Sequence, residues 1–236
     1  MPGFFKNLHP KAEAWQLRYN SSFGDDISTP RARKQARWHT HVVDHAFLRR
    51  IWHNTAQLSP DAWRGNQPDP KRIAQLKQMG IRTLLNLRGP SAFAVYLFEE
   101  EACAEHGLAL VDHSIDAYAL SSREAYLRLF ELFDTVEKPF YMHCKSGADR
   151  SGLAAAFYLL DQQNAPIARA MGELSLKYVH RKRSKAGILD HLLETYAADT
   201  QAAPMPIRQW IATRYDPVAI TADFEESRAR RGRKPA

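Results

Sequence analysis

Between residues 69 and 163 the sequence alternates helix-like segments with short apolar runs, and this alternation constrains the fold more than any other feature. DPKRIAQLKQMG (69–80) opens on an Asp-Pro start signal and closes on Gly, the two marks that bound a helix. IRTLLNL (81–87) follows as a β-rich run and ends at the turn pair Gly89-Pro90. SAFAVYLFEEEACAEHG (91–107) reads as a second helix stopped by Gly107, and LALVDHSID (108–116) as a second strand. SSREAYLRLFELFDTVE (121–137) reads as a third helix, with Ser121 or Ser122 as its cap and Glu124 in its first turn. KPFYMHC (138–144) is a third strand. The loop KSGADRS then leads into helix GLAAAFYLLDQQ (152–163), and further helices are expected around 166–177, 186–198 and 206–214. Strands separated by helices predict an α/β fold, with a central mostly parallel sheet of about four or five strands and helices on both faces. In such sheets ligands bind beyond the carboxyl ends of the strands, and the loop after Cys144 lies at such an end.

Composition is consistent with one sizeable core. The 236 residues are 44% hydrophobic and 25% charged, close to the globular average, which excludes a disordered or collagen-like chain. No apolar run reaches the roughly 18–20 residues of a membrane-spanning helix; the longest, GLAAAFYLL, suits a buried helix. The start, MPGFFKNLHPKAEAW, lacks the basic, apolar and small-residue order of a signal peptide. Two cysteines cannot make a disulfide scaffold, so a cytoplasmic setting is expected. A net charge of +7 favours anionic partners such as phosphates, nucleic acid or acidic lipid.

The segment from His143 to Gly152 carries the chemistry. Five residues separate Cys144 from Arg150, enough to wrap a cradle whose backbone N–H groups point inward and bind an anion. The helix that follows adds its positive end. Gly147 allows the backbone angles of a tight cradle, and Arg150 can grip two phosphate oxygens with its planar fork. A thiol at Cys144 in that field is expected to ionise readily, and Ser151 can donate a hydrogen bond to its sulfur. The plainer alternative is a structural turn around a buried cysteine.

This loop resembles the signature of the cysteine-based protein tyrosine phosphatase superfamily, His-Cys-x5-Arg-Ser/Thr. Its flanks, with WRGNQPD (63–69) and TLLNLRG (83–89), resemble the dual-specificity branch in its small bacterial members. The resemblance spans about residues 55–165 and implies a metal-independent phosphomonoesterase without cofactor. Cys144 would attack phosphorus, and Arg150 with the amides of Lys145, Ser146, Gly147, Ala148 and Ser151 would hold the phosphate oxygens. His143 would tune the loop without touching substrate. The family also uses an Asp as general acid. Asp116, 28 residues before Cys144, is the first candidate; Asp149 is a rival, because Asp before the Arg resembles lipid phosphatase loops; Asp112 is a third. Lys145 resembles the lipid-directed relatives, and Arg88 and Arg64 are candidates for substrate contact or for buried ion pairs.

Three functional readings remain at this level. One is a phosphatase of small-molecule or lipid phosphates, such as phosphatidylglycerophosphate or an inositol phosphate. Another is a protein tyrosine or dual-specificity phosphatase, and a third is a non-catalytic phosphate- or nucleic-acid-binding protein. The runs HRKRSK (180–185) and RARRGRK (228–234) could touch an acidic membrane surface; without a nucleic-acid module, nucleic acid is the weaker partner. His39, His41, His45 and His53 lack acidic or Cys partners at metal-ligand spacing. Trp38, Trp52 and Trp63 are expected to anchor the N-terminal segment, and Cys103 to be a core thiol. The expected organisation is an N-terminal extension (1–54), a catalytic domain (55–200), and a C-terminal helix with a mobile basic tail (201–236).

Overall fold

The structure is a computed structural model that describes residues 26–42 and 53–232. Helix α1 (Pro30–Val42) precedes an antiparallel hairpin of β1 (Ala56–Ser59) and β2 (Ala62–Asn66). Three crossovers follow: α2 (Pro70–Gln78) to β3 (Thr83–Asn86), α3 (Ala94–His106) to β4 (Ala109–Asp112), and α4 (Arg123–Thr135) to β5 (Phe140–Cys144). Helices α5 (Arg150–Gln162), α6 (Ile167–Met171), α7 (Ile188–Thr200), α8 (Ile207–Thr213) and α9 (Pro217–Gly232) complete the described chain. The sheet order is β1-β2-β5-β3-β4, and β2 to β5 run parallel.

Side chains of a strand alternate between faces, and β5 divides the interior accordingly. Phe140, Met142 and Cys144 join the larger core with residues of α4, α5, α7, α8 and α9. Tyr141 joins a smaller core with Ile73 and Leu76 of α2 and Ala102 and Cys103 of α3. Helices therefore cover both faces. In the larger core Phe133 meets Tyr158 edge-on at 5.5 Å, and Tyr126 meets Phe157 likewise at 5.2 Å. α1 lies against α3 through Ala36 and Phe98, with Arg33 bonded to Glu101 at 2.6 Å.

The helix boundaries follow their end signals. Asp69 accepts from the Arg72 amide at 2.8 Å, and Ser122 accepts from the Ala125 amide at 3.2 Å. Gly107 ends α3 in the left-handed conformation at φ 63°, where only glycine is unstrained.

Elsewhere the structure departs from the sequence expectations. The second strand stops at Asp112 rather than 116, because β4 pairs only with β3 and β3 ends at Asn86. The helix expected over 166–177 is α6 alone, followed by a 3-10 turn at Leu176–Tyr178. Gly172 closes α6, and the next carbonyl, Glu173 O, accepts from Arg64 Nη1 at 2.7 Å instead of continuing the helix. The basic tail is helical through Gly232 as the end of α9, while residues 233–236 lie outside the described residues. Trp38 is 55% exposed and joins none of the apolar clusters of the described residues; Trp63 packs on the smaller core, and Trp52 lies outside them. The β1–β2 hairpin and α1 are additional to the elements expected from sequence. No helix among the described residues is long and apolar enough to cross a membrane.

Helices α8 and α9 contribute Trp210, Ile211, Ile220 and Phe224 to the larger core. Trp210 is fully buried, and its Nε1 donates to Asp199 at 2.8 Å. Trp210→Ala is therefore expected to cost about 3–5 kcal/mol of unfolding free energy by urea titration. Val218→Ala, at a 78% exposed site, is expected to stay within about 0.5 kcal/mol.

Candidate active site at the carboxyl edge of the sheet

β5 is the third strand in sheet order, between β2 and β3, and it delivers His143 and Cys144 to the carboxyl edge opposite Gly65, Asn66 and Asn86. The chain then turns through Lys145 to Asp149, and Arg150 is the first residue of α5. The loop's carbonyls are held one after another from outside. Lys145 O accepts from the Gln67 amide at 3.5 Å, and Ser146 O from Asn54 Nδ2 at 2.8 Å. Gly147 O and Ala148 O both accept from Arg64 Nη2. These peptide bonds are trans, so each N–H points opposite to the carbonyl before it. The amides of Ser146, Gly147, Ala148 and Asp149 are thereby turned to the other side of the loop, which is the arrangement of an anion cradle.

Two residues make that turn possible. Gly147 sits at φ 73°, and a Cβ there would lie 2.7 Å from Asn66 N and 2.8 Å from Asn54 Cβ. Arg64, fully buried on β2, also donates from Nη1 to Glu173 Oε2 at 2.9 Å and stacks on Tyr178 with its Cζ 4.0 Å from the ring centre. Arg64 thus forms the buried ion pair considered as its alternative role, and it braces the loop from behind.

Cys144 is 2% exposed, and its Sγ lies 3.4 Å from Oγ of the fully buried Ser151. Lys145 and Ser146 are exposed, Gly147 and Ala148 buried, and Arg150 half-buried. His143 is fully buried, with Nε2 2.8 Å from Glu99 Oε1 but off the line of a hydrogen bond. Glu99 Oε2 accepts from Gln67 Nε2 at 2.7 Å, and Gln67 Oε1 accepts from Arg88 Nη1. Arg88 therefore supports, through Gln67 and Glu99, the histidine that precedes the cysteine.

The acid candidates differ in their commitments. Asp112 accepts from Asn86 Nδ2 at 2.7 Å and from Tyr96 OH at 2.6 Å, so both its oxygens are engaged on β4. Burial, first, and this carboxylate push the Tyr96 hydroxyl pKa up. Asp116 is exposed on the loop after β4, and its amide donates to Ser121 Oγ at 2.9 Å. That loop is tied to the same edge, since Ser114 Oγ donates to Arg88 O at 3.5 Å. It is braced from below as well: Tyr215 OH donates to Ser121 O at 2.7 Å.

Asp149 caps α5 without a side-chain bond to the helix. Its Oδ1 lies 2.7 Å from His180 Nδ1, while His180 Nε2 lies 2.6 Å from Asp190 Oδ2. Burial pulls the His180 pKa down, but the hydrogen bonds and charges of Asp149 and Asp190 outweigh it and raise the value to about 9. The stability this cation contributes is complete below its ordinary 6.5 and fades as pH rises through about 9.

Sequence reasoning missed Asn54, Gln67, Glu99, Glu173, Tyr178, His180 and Asp190. Gln67 stood inside a quoted motif, but nothing local marks one Glu of the run Glu99–Glu101, or a His in a basic run, as a partner. Cys103 is buried in the smaller core, away from Cys144 in the larger one, and burial, with nearby Glu99, pushes its thiol up to about 12. Of the histidines considered as ligands, His39 and His41 have side chains outside the description and His45 lies outside the described residues.

Comparison with known proteins agrees with this layout. P. aeruginosa TpbA superposes with a TM-score of 0.54 at 18% identity, over 68% of this chain and 92% of that one. A DUF442 protein from Shewanella putrefaciens CN-32 superposes with a TM-score of 0.50 at 21% identity, over 64% of this chain and 95% of that one. Both likenesses are of fold. No curated protein sequence matches. A family model described as "DSP-PTPase phosphatase fused to NAD+ Kinase" matches residues 36–187, more than half of the chain. The chain accordingly belongs to that family of dual-specificity-type, cysteine-based phosphatases, hydrolases of phosphomonoesters.

Proposed function

We propose that the chain is a metal-independent phosphomonoesterase that works through a phosphocysteine at Cys144, on a small-molecule or lipid phosphate. The observation that carries this reading is the row of outward-held carbonyls from Lys145 to Ala148, directly after the cysteine and directly before Arg150.

A phosphate dianion entering the cradle meets the amides of Ser146, Gly147, Ala148 and Asp149. The Arg150 guanidinium takes two of its oxygens. Cys144 as thiolate attacks phosphorus, the P–S bond forms, and the P–O bond to the leaving group breaks. The equatorial oxygens carry the transition-state charge, which the guanidinium and amides stabilise without reorganising. Ser151 Oγ, 3.4 Å from the sulfur, stabilises the thiolate when it attacks and again when it leaves. Asp116 gives its proton to the departing oxygen and then takes one from the water that hydrolyses the phosphocysteine. Asp116 is preferred over Asp112, whose oxygens are both occupied, and over Asp149, which is held by His180.

The substrate class rests on charge at the rim. Lys145 is exposed on the loop, and Lys177, Arg181 and Arg183 are exposed on the segment around Tyr178 and His180, which contacts the loop through Asn54, Arg64 and Asp149. Cations outside a monophosphate cradle suit a second phosphate or an anionic headgroup, and the same segment would meet an acidic membrane surface.

A purified-protein panel in EDTA, with p-nitrophenyl phosphate, phosphotyrosine peptide, phosphatidylglycerophosphate and inositol polyphosphates, tests this. Turnover is expected on the lipid or inositol arms, and a preference for the peptide would reassign the substrate to protein. Cys144→Ser is expected to reduce turnover to background while still binding inorganic phosphate; surviving activity would remove Cys144 as nucleophile.

Asp116→Asn is expected to lower kcat by about 10²–10⁴-fold on an alkyl phosphate and much less on p-nitrophenyl phosphate. Asp149→Asn should lack that dependence on the leaving group, and the reverse pattern would exchange their roles. Gly147→Ala is expected to abolish phosphate binding, read by calorimetry, because the added methyl meets β2 backbone.

A further inference from the structure

We propose that His180 is a positioning residue whose positive charge offsets Asp149, so that a carboxylate one residue before Arg150 opposes the dianion in the loop less. The proposal rests on reading that loop as a phosphate site. It adds a residue far along the chain, on no motif of the loop.

The geometry sets the protonation state. His180 is 1% exposed, and both ring nitrogens face carboxylate oxygens, Asp149 Oδ1 at 2.7 Å and Asp190 Oδ2 at 2.6 Å. A neutral imidazole has one N–H, whereas two donors require the imidazolium. The charged groups acting on it are Asp149, from the loop into α5, and Asp190, from α7. A pKa raised to about 9 by those two carboxylates, against the pull of burial, agrees with the cation.

Asp149 contributes opposing elements to one small space. Its amide is among those turned into the cradle, so it attracts an anion. Its carboxylate belongs to the same residue and would repel that anion through a medium that screens poorly. Drawing the carboxylate onto a buried cation keeps the amide and offsets the nearer charge, and the single negative charge left over is shared with Asp190 on the far side of the ring.

The segment that brings His180 there is built for a fixed position. Ser175 O accepts from the His180 amide at 3.1 Å, and Leu176 O from the Val179 amide at 2.9 Å. Val179 is held at φ 65°, a conformation that a β-branched residue adopts only where its surroundings enforce it. Tyr178, two residues before His180, is the ring on which Arg64 stacks, and its carbonyl accepts from Asn54 Nδ2 at 2.9 Å. Arg64 and Asn54 are the side chains that hold the loop's carbonyls. One short segment therefore both backs the loop's outer braces and supplies the positive charge that faces Asp149.

The test compares wild type, H180Q, D149N and H180Q/D149N for inorganic phosphate binding by calorimetry and for kcat and KM on p-nitrophenyl phosphate, with thermal melts as the folding control. H180Q is expected to weaken phosphate binding by about tenfold or more and to raise KM more than it lowers kcat. Removing the repelling charge in H180Q/D149N is expected to restore affinity to within about threefold of D149N, which loss of structure alone would not do. A second arm avoids any change at His180. Wild-type phosphate affinity should fall as pH rises through about 9, with a much weaker fall in D149N. Folded H180Q that binds phosphate like wild type, a double variant that stays weak, or equal pH profiles for wild type and D149N would each overturn the inference. A wild type that binds no phosphate overturns the phosphatase reading, and this inference with it.

Discussion

A buried guanidinium organises the loop. Arg64 lies on β2, one strand away from the cysteine it serves, and reaches two consecutive loop carbonyls and the Glu173 carboxylate at once. An isolated buried cation would be costly. Here the Glu173 charge, three carbonyl acceptors and the face of Tyr178 take the place of water. The side chain can then do what a neutral residue could not, fixing the orientation of successive peptide dipoles. The direction of the loop's amides is thus determined from the face opposite to them.

The sheet makes this arrangement possible. Parallel strands β2, β3, β4 and β5 end at one edge, so Asn66, Asn86, Asp112 and Cys144 arrive together although they are far apart in sequence. Each contributes a different support. β2 leads into Gln67, β3 into Arg88, and α3 supplies Glu99 to the same chain of contacts under His143. The two short motifs flanking the signature, WRGNQPD and TLLNLRG, meet in this network: Gln67 of the first is buried and accepts from Arg88 of the second, which is half-buried.

Much of this was legible in the chain itself. The alternation of helical and β-rich runs was sufficient for an α/β sheet with both faces covered, since its caps and stops are local signals, as at Asp69, Ser122 and Gly107. The hairpin has no local mark, because β1 and β2 have four and five residues and β2 carries Arg64 and Asn66 where apolar residues would mark a buried strand. The loop was visible as a contiguous pattern. Its supports were not, because Glu99, Glu173, His180 and Asp190 reach it only through tertiary packing, and each looks like an ordinary surface residue in sequence. The engagement of Asp149 was hidden for the same reason: its partner lies on a basic stretch that reads as solvated charge.

The C-terminal helices reach further into the chemistry than their place in the sequence suggests. Tyr215 OH donates to the carbonyl of Ser121, whose hydroxyl receives the Asp116 amide, and Arg123 bonds to Ala212 O and Tyr215 O. The loop holding the proposed proton donor therefore rests on residues that lie far along the chain from it. A change at Tyr215 or Arg123 would thus be felt first by the proton donor's loop and only through the shared core by the cysteine.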